Sequence, residues 1–166
     1  MFKEYKNLLP KEACQYLIEY ASKSPSNNIL SHSNTTTVQA QYLMKNKPFV
    51  QILFYLTQVA TKEYGKVLFP ELVEIVKWPI DSYQPPHIDT TRESTKYTSV
   101  TYLNLDYEGG KTFFTKNNKK SINEIGTTIF FDGVQHEHGV EKITKGTRYT
   151  LPIWYSDNIN DFILNW

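Results

Sequence analysis

His87 and Asp89 in the run PHID, and His138 in QHEHGV, are residue types that hold a divalent metal while leaving coordination positions open. Two imidazoles and one carboxylate suit Fe(II) in centres that admit a co-substrate and O2. The spacing supports this chemistry, because residues two apart on an extended strand point to the same side and can grip one ion. His138 would supply the third donor from a strand brought alongside. His136 shares a strand face with it and competes for that place, and spacing from His87 alone does not separate the two. A structural zinc site usually recruits four protein ligands, often thiolates, and the chain has one cysteine, Cys14.

Bulk properties narrow the classes. The 166 residues are expected to form one domain, with helical support over about 1–66 and a strand-rich core over about 70–160. Eighteen basic against seventeen acidic residues leave no charge excess that would call for a nucleic acid or an anionic membrane as partner. The lysines of KNNKKS read as a solvated hairpin surface. The N-terminal stretch has no secretory pattern, and no apolar run reaches bilayer-spanning length, so a soluble cytoplasmic protein is expected, monomeric or weakly dimeric. Cys14 reads as a buried small hydrophobe on a helix.

Two helices and at least five strands must position the three metal-type residues. Cys14, Leu17, Ile18 and Ala21 give an apolar face to a helix over about 10–21, and Phe49, Ile52, Leu53, Leu56, Val59 and Ala60 do so over 48–64, with Gly65 as its stop. The intervening 23–46 stretch, rich in Ser, Asn and Thr, reads as a loop or irregular extended segment, foremost a surface loop, carrying a solvent-facing His32. Strands are expected at ELVEIVKWPI, KYTSVTYLNL, KTFFT, TTIFFD and TRYTLPIWY. Helices packed outside a double sheet follow, a mainly β, jelly-roll or cupin-like fold. Gly109 and Gly110 read as a tight turn, Trp154 and Ile129–Phe131 as core, and the tail DFILNW as packed.

The blocks PPHIDTT, TSVTYLNLDYEGGKTFF and TTIFFDGVQHEHGVEKITKGTRYTLPIWY, with LLPKEACQYLIEYA near the start, resemble Fe(II)- and 2-oxoglutarate-dependent dioxygenases, most closely the prolyl 4-hydroxylase branch. That resemblance implies a double-stranded β-helix core with His87, Asp89 and His138 as catalytic iron ligands. Its H-x-V block ten residues before an arginine selects His138 over His136, and assigns Arg148 to the distal carboxylate of 2-oxoglutarate. Tyr102 and Thr112 are implied pocket residues beside it, and Thr150, which faces the same way as Arg148 by strand periodicity, would line the pocket with them. The chain departs from the branch at WPIDSYQPPHID, where Trp78 stands near a tyrosine position and a glycine is missing; Tyr83 or Trp78 would have to replace contacts made there. Glu141, Lys142 and Ile143 also depart, with an effect expected on strand packing rather than on iron.

The activity so implied is hydroxylation of an unactivated C–H, foremost in a prolyl residue of a peptide or protein, coupled to oxidation of 2-oxoglutarate to succinate and CO2. Fe(II), 2-oxoglutarate and O2 are the implied cofactors, with ascorbate as a candidate reductant. Hydroxylation of another peptidyl side chain or a small molecule is the alternative, and a non-catalytic cupin-like metal binder is a third. Asp89 favours hydroxylation over halogenation, since related halogenases carry a small residue in its place.

Overall fold

The computed structural model describes residues 2–28, 30, 33–89, 95–116, 118–122 and 124–163. In chain order they form β1 (Phe2–Tyr5), α1 (Lys11–Ser22), β2 (Asn27–Asn28), β3 (Thr36–Gln39), α2 (Ala40–Leu43), α3 (Lys47–Tyr64) and β4 (Phe69–Trp78). Next come β5 (Gln84–His87), β6 (Tyr97–Tyr102), β7 (Tyr107–Gly109), β8 (Thr112–Phe114) and β9 (Lys119–Lys120). The chain continues through β10 (Thr128–Asp132), β11 (His138–Val140), β12 (Ile143–Gly146), β13 (Arg148–Ser156) and a 3-10 turn at Ile159–Asp161.

A seven-stranded antiparallel sheet in the order β1, β10, β6, β13, β4, β3, β2 faces a four-stranded one in the order β5, β11, β8, β9. From β4 onward the chain passes between the two, β4 to β5 to β6 and again β10 to β11 to β13, the double-stranded β-helix or jelly roll. Period-two patterning explains how the large sheet serves two faces. On β4 and β13, Val73, Ile75, Leu151, Ile153 and Tyr155 pack outward against Leu17 of α1 and Phe49 and Leu53 of α3. The alternate residues Val76, Trp78, Arg148 and Thr150 turn inward to line a cavity between the sheets.

Both long helices lie where their apolar spacing puts them. α3 opens with the Asn46 side chain accepting from Phe49 N at 2.9 Å and closes at Gly65, whose φ of +65° is left-handed and suits the missing side chain. Cys14 on α1 is fully buried, and burial pushes its thiol up to about 11. Gly109 and Gly110 have φ of +77° and +61° in the turn between β7 and β8, as expected of a tight reversal.

Three expectations need correction. The 23–46 stretch is not a plain surface loop: β3 adds to the edge of β4, with Thr36 opposite Lys77 and Val38 opposite Ile75, and it buries Thr35, Thr37 and Val38. The Ser, Asn and Thr content there disguises a four-residue strand whose partner, β4, lies far along the chain. Nor is the first third purely helical, since β1 pairs with β10, Phe2 opposite Phe131. Trp154 lies on the cavity wall rather than in the core, whereas Ile129, Phe130 and Phe131 are buried as anticipated. The tail packs through Phe162, its ring 6.1 Å from that of Phe69 and 6.4 Å from that of Phe54, while 164–166 lie outside the described residues, as does His32.

Candidate active site

Cross-strand pairing brings the metal-type residues together. His87 ends β5 and His138 begins β11, directly opposite in the register, and Asp89 follows two residues beyond His87. One donor atom from each of His87, Asp89 and His138 lies within 4.8 Å of the other two. Nε2 of His87 and of His138 stand 3.7 and 3.8 Å from Oδ1 of Asp89, beyond hydrogen-bond range.

The hydrogen bonds behind these groups fix which atoms face inward. His87 Nδ1 donates to the Pro85 carbonyl at 2.9 Å, and His138 Nδ1 donates to the His136 carbonyl at 2.9 Å. A carbonyl only accepts, so each Nδ1 carries the proton and each Nε2 presents a lone pair. Thr98 donates to Oδ2 of Asp89 at 2.6 Å, and the Asp89 N–H is held by the Gly133 carbonyl at 2.9 Å, leaving Oδ1 toward the imidazoles. Three electron-pair donors thus converge with no proton among them. Such a cluster is electrostatically satisfied by a cation, and the residues fit a divalent metal. Burial holds His138 below the usual imidazole value, which keeps its ring neutral for metal binding.

His136 is not part of this cluster. It sits in the bend before β11 rather than on the strand, and its Nδ1 donates to the Asp132 carbonyl at 3.0 Å. The same-face argument for it fails because β11 starts only at His138. Its backbone carbonyl, by contrast, orients His138.

At the opposite end of the cavity Arg148 is 1% exposed. Its Cζ lies 5.2 Å from the ring centres of both Trp78 and Tyr102, and Nη2 donates to Thr112 Oγ1 at 3.1 Å. Nε and Nη1 have no hydrogen-bond acceptor among the described residues, although both are buried. An uncompensated buried guanidinium is costly, and a planar carboxylate entering the cavity would satisfy it with two parallel bonds. Thr112 Oγ1 also accepts from the Tyr102 hydroxyl at 2.7 Å, so its own proton is free to point at such a carboxylate. Tyr102 itself is fully buried behind the wall and spends its hydroxyl on Thr112. Thr150 lines the cavity and accepts from Trp78 Nε1 at 3.1 Å. Trp78 lines the cavity, while Tyr83 is 40% exposed and does not.

The sequence reading did not single out Thr98, Gly133, Glu74 or Gln84. A Cβ on Gly133 would run into Oδ2 of Asp89, so the bare backbone there makes room for the carboxylate. Its signal was the FDG turn after an apolar strand, which periodicity cannot distinguish from an ordinary reversal. Glu74 and Gln84 line the cavity, but Glu74 sits in a strand whose apolar pattern draws attention elsewhere, and Gln84 opens the short QPPH strand, which carries no such pattern.

A profile of the 2OG-Fe(II) oxygenase superfamily matches residues 73–156, from inside β4 to the end of β13. Prolyl 3-hydroxylase 1 of Rattus norvegicus is 28% identical over 97 residues, which cover 46% of this chain and 13% of that protein. Prolyl 3-hydroxylase 3 of Homo sapiens is 35% identical over 66 residues, 36% of this chain and 9% of that protein. The chain thus spans only about an eighth or less of these relatives' length. Among solved structures, a prolyl-4-hydroxylase of Pseudomonas putida superposes with a TM-score of 0.78 at 14% identity, over 93% of this chain and 91% of the other. The viral collagen prolyl hydroxylase of Paramecium Bursaria Chlorella virus-1, in its 2OG complex, gives 0.76 at 18% identity, over 93% and 94%. These likenesses carry the jelly-roll fold. With the profile covering half of the chain, including the HxD run, the distal histidine and Arg148, the protein belongs to the 2OG-Fe(II) oxygenase superfamily.

Proposed function

We propose that this protein hydroxylates an unactivated C–H of a peptide or protein, with a prolyl residue as the foremost target, at the expense of 2-oxoglutarate and O2. The observation that carries the reading is a single cavity holding three convergent metal donors and, apart from them, a buried guanidinium with two unsatisfied nitrogens. His87, Asp89 and His138 are assigned as the iron ligands, and Arg148 and Thr112 as the anchors of the distal carboxylate of 2-oxoglutarate. When bound, iron and the keto acid supply the oxidising chemistry, in which 2-oxoglutarate becomes succinate and CO2 and one oxygen atom of O2 enters the substrate.

The protein's own contribution is positioning. Pro85 and His136 carbonyls lock the imidazole tautomers, and Thr98 selects which oxygen of Asp89 faces the metal. The Trp78 and Tyr102 rings and Thr112 hold the Arg148 guanidinium in place, so that a carboxylate meets it in one orientation. Val76, Val100 and Val140 give the middle of the cavity apolar walls, which exclude water from the reacting C–H. Thr150 holds the Trp78 indole from behind, and Tyr102 acts through Thr112.

Support for a prolyl target comes from the prolyl hydroxylases among the relatives. The fold alone does not select it, because the 2-oxoglutarate-dependent epimerase SnoN superposes equally well, with a TM-score of 0.76 at 15% identity. The test is incubation of Fe(II)-loaded protein with 2-oxoglutarate, ascorbate and a pool of proline-containing peptides, read by tandem mass spectrometry. Gain of one oxygen on proline, with matching succinate, is expected. Peptide-independent succinate formation without any oxidised proline would remove the prolyl assignment and favour another side chain or a small molecule.

A further inference from the structure

Glu74 is a buried carboxyl that the chemistry above does not use. It lies on β4, on the inward face with Val76 and Trp78, between the cross-strand pairs Thr150–Val76 and Trp154–Leu72, and it lines the cavity while only 6% exposed. Four residues from Trp78, it is roughly 13 Å along the strand from the Arg148 socket. Nothing among the described residues donates a hydrogen bond or an ion pair to its side chain, and desolvation alone accounts for the raising of its pKa to about 7. The Trp154 Nε1, also on the cavity wall, is buried and likewise lacks an acceptor. The cavity wall thus presents, at Glu74 and Trp154, an acceptor and a donor that no described residue pairs.

Charge bookkeeping points the same way. Arg148 and Asp89 together balance a divalent metal with a dianionic keto acid, so among the described residues an ionised Glu74 is the one cavity charge left over. A carboxylate in that position is satisfied when a cation arrives, and an arriving amine restores its ionisation.

We infer that Glu74 is a substrate-recognition residue, holding an amino or guanidino group of the molecule being hydroxylated, an inference that rests on the hydroxylase reading above. On a prolyl substrate the group belongs to a lysine or arginine near the target residue. Trp154 Nε1 then donates to a carbonyl of the same segment.

The experiment uses the full chain loaded with Mn(II) and 2-oxoglutarate under nitrogen. Calorimetric titrations compare prolyl heptapeptides carrying one lysine at successive positions with the matched norleucine peptides, and include N-acetyl-lysine amide as a probe without proline. The wild type is expected to prefer lysine at one position by about tenfold or more. In Glu74→Gln that preference should disappear, with the Fe(II)–2-oxoglutarate absorption band retained as the check that the metal site is intact. Equal binding of lysine and norleucine peptides by the wild type would overturn the inference, and so would a lysine preference that survives Glu74→Gln. If no probe binds although the absorption band forms, the role of Glu74 falls and the cofactor reading stands. Glu74-dependent binding of N-acetyl-lysine amide, in a protein that oxidises no prolyl peptide, would support the role of Glu74 and remove proline as the target.

Discussion

Asp89 offers two oxygens, and Thr98 decides how they are used: its hydroxyl takes Oδ2, and Oδ1 is left facing the two imidazoles. Thr98→Val removes that bond without opening much space, and should weaken Fe(II) binding by about 10–100-fold while Thr98→Ser restores it, as read by anaerobic metal titration. Arg148→Ala should raise the 2-oxoglutarate dissociation constant by about 30-fold or more with iron affinity little changed, because the lost bonds are charge-assisted and go to the keto acid alone. An unchanged 2-oxoglutarate affinity would contradict the role given to Arg148. At this scale the HxD run and the distal histidine stand out by residue type and order, whereas Arg148 stands out only through the resemblance to the dioxygenase blocks. Thr98, Gly133 and Glu74 were not, because what matters about them is which buried atom they meet, and that is a product of strand register.

The elements divide into those written by periodicity and those made by pairing. α1, α3, β4, β6, β10 and β13 carry apolar faces at period 3.6 or 2 and fall within two or three residues of their sequence expectation. β3, β5, β11 and β12 are three or four residues long and gain their stability from a neighbour already in place, as when β11 inserts between β5 and β8. This explains why the 23–46 stretch misled: its β-forming TTVQ run is only four residues long among Ser and Asn, and it becomes a strand when β4 offers an edge. It also explains His136, whose apparent strand face disappears once β11 begins at His138. The start of α3 gives an element-level prediction. Asn46→Ala deletes the cap bond to Phe49 N and should lower unfolding free energy by about 1 kcal/mol, with metal affinity unaltered, by urea denaturation and iron titration in parallel.

Across the molecule, helices cover one face of the large sheet and the small sheet covers the other, so the cavity lies between layers and its charged groups are removed from water. No helix among the described residues is long and apolar enough to cross a membrane. Glu74 makes the cost of this arrangement measurable. Its folded value of about 7 exceeds the ordinary 4.5, so between these values the folded chain keeps a proton that the unfolded chain has released. Stability therefore falls as pH rises through that window and stays lower above it, by roughly 3 kcal/mol at most. Glu74→Gln should flatten this component in urea denaturation at about pH 5 and about pH 8, whereas an unchanged slope would show that Glu74 is not the group responsible. The claim on which the whole account turns is that His87, Asp89 and His138 hold iron within reach of a keto acid anchored by Arg148. Anaerobic Fe(II) titration followed by 2-oxoglutarate tests it most directly. A saturable visible charge-transfer band is predicted for the wild type, absent in His138→Ala and shifted to higher 2-oxoglutarate concentration in Arg148→Ala. A folded, iron-loaded wild type that develops no band would contradict the account.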